Sequence, residues 1–135
     1  MENELLSSVH NAVAGEKFAV GNDLVFIPNF KISLTGFFKK KVYTSNEIAY
    51  CDLFDDALLR YASTWAAKEA VYKAVKQLDS APVSWKKIEI TREKTAGKPF
   101  VIFHQNPDKF QISLSISHDG DYVWAVAFVQ IADLP

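Results

Sequence analysis

Cysteine is almost absent from this chain of 135 residues, where Cys51 stands alone. A disulfide framework within the chain is excluded, and a reducing compartment fits that composition. No histidine or run of cations stands beside Cys51 in sequence, so it reads as a small core residue and not as an activated nucleophile. Glycine and proline are sparse, and no repeat, low-complexity tract or linker divides the chain. Net charge is nearly absent too. A formal value of -1 gives no bulk attraction for nucleic acid or an anionic membrane. No apolar run is long enough to span a bilayer. The start, Met1-Glu2-Asn3-Glu4, is acidic and lacks the basic and apolar regions of a signal peptide. The expectation is a soluble cytoplasmic protein.

What is there supports a packed fold, with 49% apolar and 13% aromatic residues. Leu5, Leu6, Val9, Ala12 and Val13 recur at helical spacing, which predicts a helix over 3–14 within an N-terminal extension, residues 1–17. A single domain follows over 18–135. Residues 18–27 read as a strand ended by Pro28, and a short helix is expected near 34–41. Its Lys39, Lys40 and Lys41 are either a solvated helix end or a docking patch for an acidic partner. Thr44-Ser45-Asn46-Glu47 has capping-box spacing and starts another short helix. The longest helix is expected over 55–78, with Asp55 and Asp56 at its positive end. Strands follow over 85–91, 99–104 and 111–118. In the last, Ile112, Leu114 and Ile116 alternate with serines. His118-Asp119-Gly120-Asp121 reads as a turn into a final strand over 122–130. The class is α+β, a long central helix packed on an antiparallel sheet.

The charges inside the long helix are the informative part. Its apolar residues spread almost round the circumference, which predicts burial on most sides. Glu69 and Lys73 nevertheless sit in its middle, one turn apart, on the face of Trp65, and Lys68 points about 100° away. One reading is an i,i+4 salt bridge. The other is a metal and phosphate site, in which the carboxylate holds a hard cation and the ammonium neutralises phosphate oxygens. A magnesium site wants one or two protein carboxylates, and Asp23 is the best second candidate; otherwise it is a strand-end or turn aspartate. His118 is either a turn histidine or a donor to phosphate or hydroxyl at a sheet edge. Gly97-Lys98-Pro99 on its own is a turn.

Together these residues resemble the 4′-phosphopantetheinyl transferase superfamily, in its short holo-acyl-carrier-protein synthase form. The matching blocks come in order: Gly21-Asn22-Asp23-Leu24-Val25; Val42 to Glu47 with Tyr50-Cys51; Trp65-Ala66-Ala67-Lys68-Glu69-Ala70 to Lys73-Ala74; Trp85 to Ile90; Gly97-Lys98-Pro99; and Ser115-Ile116-Ser117-His118. The resemblance covers about residues 18–130. It implies transfer of the phosphopantetheine arm of coenzyme A to a serine of an apo acyl carrier protein, with release of adenosine 3′,5′-bisphosphate. It also implies Asp23 and Glu69 as Mg2+ ligands, and Lys73 with Lys68 on phosphate oxygens. Lys98 and Pro99 would line the nucleotide pocket, His118 would contact cofactor phosphates, and a homotrimer would share its sites between neighbours. Glu69 and Lys73 are the catalytic candidates. The sequence departs from the family pattern at Phe26, Asn29 and Thr64, where acidic and basic residues are usual. That leaves a second reading open, a non-catalytic coenzyme A-binding or assembly module.

Overall fold

The computed structural model describes residues 17–132. The helix expected over 3–14 lies outside the described residues. The chain runs β1 (Phe18–Phe26), α1 (Ile27–Ser33), α2 (Gly36–Val42), α3 (Ser45–Cys51), α4 (Ala57–Leu78), a 3-10 turn (Trp85–Lys87), then β2 (Ile88–Arg92), β3 (Pro99–Phe103), β4 (Phe110–Asp119) and β5 (Tyr122–Ile131). β1, β5 and β4 form one antiparallel sheet in that order, and β2 pairs with β3 in a separate hairpin. The expected α+β class is observed.

Helix α4 lies on one face of the three-stranded sheet. Alternation along β1 sends Ala19, Gly21, Asp23 and Val25 to the helix side, and β5 sends Val123, Ala125, Ala127 and Val129 there. These small groups meet the alanines of α4, so the backbones approach closely. A methyl placed on Gly21 would lie 2.0 Å from the Ala70 carbonyl oxygen, so only glycine fits. The opposite face of the sheet is also apolar. Phe18, Val20, Leu24, Phe26, Tyr122, Trp124 and Phe128 are exposed there.

The capping box forms as expected. Thr44 N donates to Glu47 Oε1 at 2.8 Å, and Glu47 N donates to Thr44 Oγ1 at 3.2 Å. The long helix starts at Ala57, with Asp56 in the capping position. Four expectations need correction. Pro28 ends β1 but also opens helix α1, because proline fits the first helical turn, where its missing N–H has no partner to lose. Trp85–Lys87 is a 3-10 turn and not the start of a strand. Asp23 sits within β1, paired with Ala125, and not at a strand end or turn. His118 belongs to β4, opposite Val123; the turn is Gly120-Asp121, with Gly120 at φ +55°.

Candidate active site

Two strand positions and two helix positions build the first part of the site. β1 carries Asp23 on its helix-facing side, and α4 carries Glu69 and Lys73 one turn apart. Lys73 Nζ donates to Asp23 Oδ1 at 2.8 Å and to the Asn22 carbonyl at 3.1 Å. The ion pair of Lys73 is therefore with the neighbouring strand, in place of the i,i+4 pair with Glu69. Burial pushes the Glu69 carboxyl up to about 8, and the hydrogen bond and negative charge of Asp23 push the same way; Lys73 pulls it back. The Lys73 ammonium is held above its ordinary value, chiefly by its hydrogen bond to Asp23.

A carboxyl pair in this state is short of positive charge. Two oxygen-rich acids that meet in a half-buried place must share a proton or a cation. They suit a hard divalent ion that takes its remaining oxygens from water and phosphate. The pair opens on a cleft of about 450 Å³ lined by Phe26, Asn29, Phe30, Phe38 and Trp65. Trp65 is wedged edge-on against Trp85 at 4.8 Å and Phe38 at 5.2 Å, which fixes the cleft wall.

His118 and Pro99 are brought together elsewhere, around a smaller cavity of about 180 Å³ with Arg60, Ser63 and Arg92. Sequence reasoning missed these three partners. A signal existed: Arg60 and Arg92 are the only arginines in the chain, and both reach this cavity. Arg60 stacks over Phe54 at 3.9 Å and pairs with Asp56 at 3.2 Å. Arg92 stacks over Tyr50, and its Nε donates to the Gly97 carbonyl at 3.1 Å. Both guanidinium groups are thereby held in place beside His118.

The remaining two candidates are placed differently from expectation. Lys98 precedes β3 and faces a separate cavity with Glu93, Lys94 and Phe100. It does not join Pro99 and His118. Lys68 is fully buried, and its ammonium donates to Glu47 Oε1 at 2.7 Å, Glu47 Oε2 at 2.9 Å and the Ile88 carbonyl. All three of its N–H groups are engaged, so it has no donor left for a phosphate. Cys51 is inert as expected: it is buried, and burial pushes its thiol up to about 11.

The two clusters are separated along the sheet by strand β5. Asp23 is on β1 and His118 on β4, with β5 between them. Two strand spacings amount to about 10 Å, before adding the offset along the strands.

A family model described as the 4′-phosphopantetheinyl transferase superfamily matches residues 19–127. The chain belongs to this superfamily. It is 35% identical over 123 residues to the holo-[acyl-carrier-protein] synthase of Koribacter versatilis, covering 84% of this chain and 96% of that protein. It is 37% identical over 114 residues to the same-named protein of Chlorobaculum tepidum, covering 82% and 97%. Among solved structures it resembles the Chronobacterium ammoniagenes ACPS–CoA complex, with a TM-score of 0.73, 28% identity, and coverage of 87% of this chain and all of that one. The family, the transferase fold and an enzymatic role are therefore as the sequence implied. No helix among the described residues is long and apolar enough to cross a membrane.

Proposed function

We propose that this chain is a holo-acyl-carrier-protein synthase, which moves the phosphopantetheine group of coenzyme A onto a serine hydroxyl of an apo acyl carrier protein. The observation that carries this reading is the crowded Asp23–Glu69 carboxyl pair, with Lys73 beside it, at the edge of an apolar-walled cleft. Asp23 and Glu69 would hold a divalent cation, Mg2+ in our reading, which would supply charge neutralisation for the coenzyme A pyrophosphate. Lys73 approaches the same place and stabilises phosphate oxygens as negative charge gathers on them. The serine oxygen forms a bond to the phosphorus that carries the pantetheine arm. The bridging P–O bond breaks, and its electrons leave with adenosine 3′,5′-bisphosphate. The serine proton needs an acceptor, and Glu69 is the carboxylate within the site suited to it. The cleft walls of Phe26, Phe30 and Trp65 suit the arm's apolar portion.

Arg60, Arg92, Pro99 and His118 would receive the nucleotide end of coenzyme A, with two guanidinium groups for phosphate. They lie two strands from Asp23, at the β4 edge of the same sheet, so one chain holds two separated half-sites. A homotrimer that joins one chain's carboxyl pair to a neighbour's arginine cavity answers that division. The exposed apolar face of β1 and β5 supports such an assembly, since a patch of that kind marks an interface. We read the chain as a cytoplasmic enzyme of fatty acid synthesis, serving soluble carriers, with residues 1–17 as an extension to the domain. The test is a transfer assay. Purified chain, Mg2+, coenzyme A and several apo carrier proteins should give a carrier mass gain of one phosphopantetheine; no gain on any carrier would overturn the reading.

One observation favours a second reading. Asn29 lines the cleft where the family pattern has a basic residue, which suits a coenzyme A-binding module without carrier docking. Thr64 carries no weight for it. It is buried, and its hydroxyl donates to the Arg60 carbonyl at 2.9 Å, away from the cleft. The transfer assay distinguishes the two readings: the module binds coenzyme A in calorimetry and yet modifies no carrier.

A further inference from the structure

Helix α4 packs through an unusual surface. Its buried residues include Ala62, Ala66, Ala67, Ala70 and Ala74, all fully inaccessible, against Ala125, Ala127 and Gly21 of the sheet. Surfaces this small and smooth allow close approach but offer few ridges and grooves to fix how the helix is rolled about its axis. Yet the site depends on that roll. A roll of about 20° would carry a carboxylate about 6 Å from the axis through about 2 Å, since the helix with side chains is about 10–12 Å across. A misplacement of about 1 Å is enough to lower a rate about a hundredfold.

Lys73 and Gln77 tie α4 to β1 through exposed side chains, and a fully buried anchor lies one residue from Glu69. The Lys68 ammonium is gripped by both oxygens of Glu47, at 2.7 Å and 2.9 Å, and by the Ile88 carbonyl. Glu47 is itself immobilised: Oε1 also accepts Thr44 N at 2.8 Å, and Oε2 accepts Ile90 N at 2.9 Å. Thr44 continues the chain of contacts, its hydroxyl donating to Glu89 Oε2 at 2.5 Å, and Glu89 Oε1 meets His104 Nε2 at 3.1 Å. Three elements, α3, α4 and β2, are thus tied at one point by the buried side chains of Lys68 and Glu47. Lys68 and Glu69 are one helical step apart, so fixing the direction of one fixes that of the other.

We propose that Lys68 and Glu47 are positioning residues that set the roll of α4 and so aim Glu69 at Asp23. The proposal rests on the reading that Asp23 and Glu69 share a cation. A buried ion pair adds little to stability over a neutral replacement, and its best-attested use is to fix register between packed elements. In this chain the closest contact sets Ala70 and Ala74 of α4 against Gly21, and Lys68 with Glu47 is the fully buried polar tie beside it.

The test is the double variant Lys68→Met/Glu47→Gln, which removes both charges and leaves an acceptor at position 47 for a backbone amide. It should fold, with a melting temperature close to that of the parent. Its Mn2+ affinity, measured by calorimetry, should fall at least tenfold, and kcat at least tenfold, with the KM for coenzyme A changed less. A crystal structure should show the Lys73–Asp23 ion pair broken or shifted. A folded variant that keeps that ion pair together with parental Mn2+ affinity and kcat overturns the proposal. So does a variant that fails to fold, because the pair would then be supporting the fold instead of aiming the helix. The structural arm needs no activity, so a parent that modified no carrier would sink the transferase reading while leaving the crystallographic comparison decisive for this one.

Discussion

Two lysine–carboxylate pairs flank Glu69, and they differ in almost every respect but composition. Lys73 and Asp23 meet at 2.8 Å with the lysine side chain 52% exposed, while Lys68 and Glu47 meet at 2.7 Å with the lysine at 0%. Around Lys73 the charges are unbalanced, two carboxyls against one ammonium, and the surplus has raised the Glu69 carboxyl to about 8. Around Lys68 every donor and every carboxylate oxygen is engaged within the protein. A site that binds something is left unfinished by its own residues. A site that fixes one element against another is complete. Helical spacing alone separates neither pair from the other, because both lysines lie in one unbroken apolar helix.

The largest expected effect comes from breaking the complete pair. Lys68→Met on its own leaves the Glu47 carboxylate buried without its cation, and such a loss costs about 3–5 kcal/mol. Urea denaturation should show that loss, while Lys73→Met, which removes a half-exposed partner, should change stability by less than about 1 kcal/mol. Equal losses from both would erase the distinction between the pairs. The Lys73 change should appear in catalysis instead, lowering kcat/KM by about 10²-fold, the order expected for removing one fixed charge that stabilises a transition state.

Glu69→Gln gives the next largest effect, on activity alone. The rate should fall by about 10²–10³-fold, again on the scale of a lost electrostatic contact in the transition state, and Mn2+ binding should weaken with it. The fold should survive, because an amide fits the space and removes a carboxyl that burial disfavours. A Gln variant with parental rates would remove Glu69 from the site.

How much of this the sequence disclosed depends on what kind of signal each residue leaves. Local pattern carried α4 as a run unbroken by glycine or proline, β4 by its alternation, and the capping box at Thr44 by its spacing, since each rests on residues close in sequence. The motif blocks carried Asp23, Glu69 and Lys73, which the fold brings to one place although 46 positions separate Asp23 from Glu69 (69 - 23). Lys68 was misassigned to phosphate because its direction on the helix was legible but what stood in that direction, the Glu47 carboxylate from α3, was not. Helix α1 was missed because Pro28 was read only as a terminator. Arg60 and Arg92 were missed because each is isolated in sequence, and only the approach of β2 and β4 to the start of α4 makes them neighbours.

The arginine cavity gives a smaller effect than the carboxyl pair, and one of a different kind. Arg92→Ala should raise the KM for coenzyme A by about tenfold and leave kcat nearly unchanged, because a contact made equally in ground and transition states affects binding alone. A fall in kcat with unchanged KM would place Arg92 with the reacting phosphate and collapse the division between the two half-sites.

The smallest effect concerns pH, and its sign follows from the unfinished pair. In the folded chain the Glu69 carboxyl keeps its proton up to about pH 8, whereas an ordinary glutamate loses it near 4.5. Between those values the folded state binds more protons than the unfolded one, so each rise in pH subtracts stability, and the loss ends above about pH 8. Without metal, the parent should therefore fall in melting temperature relative to Glu69→Gln as pH is raised across that window. A divalent cation should reduce the difference, because it binds the ionised pair and replaces the shared proton, and its own affinity should climb with pH until about 8. Parallel melting curves for parent and variant at every pH would mean that Asp23 and Glu69 do not share a proton. The contrast with the fully engaged Lys68–Glu47 pair would then have to rest on exposure alone.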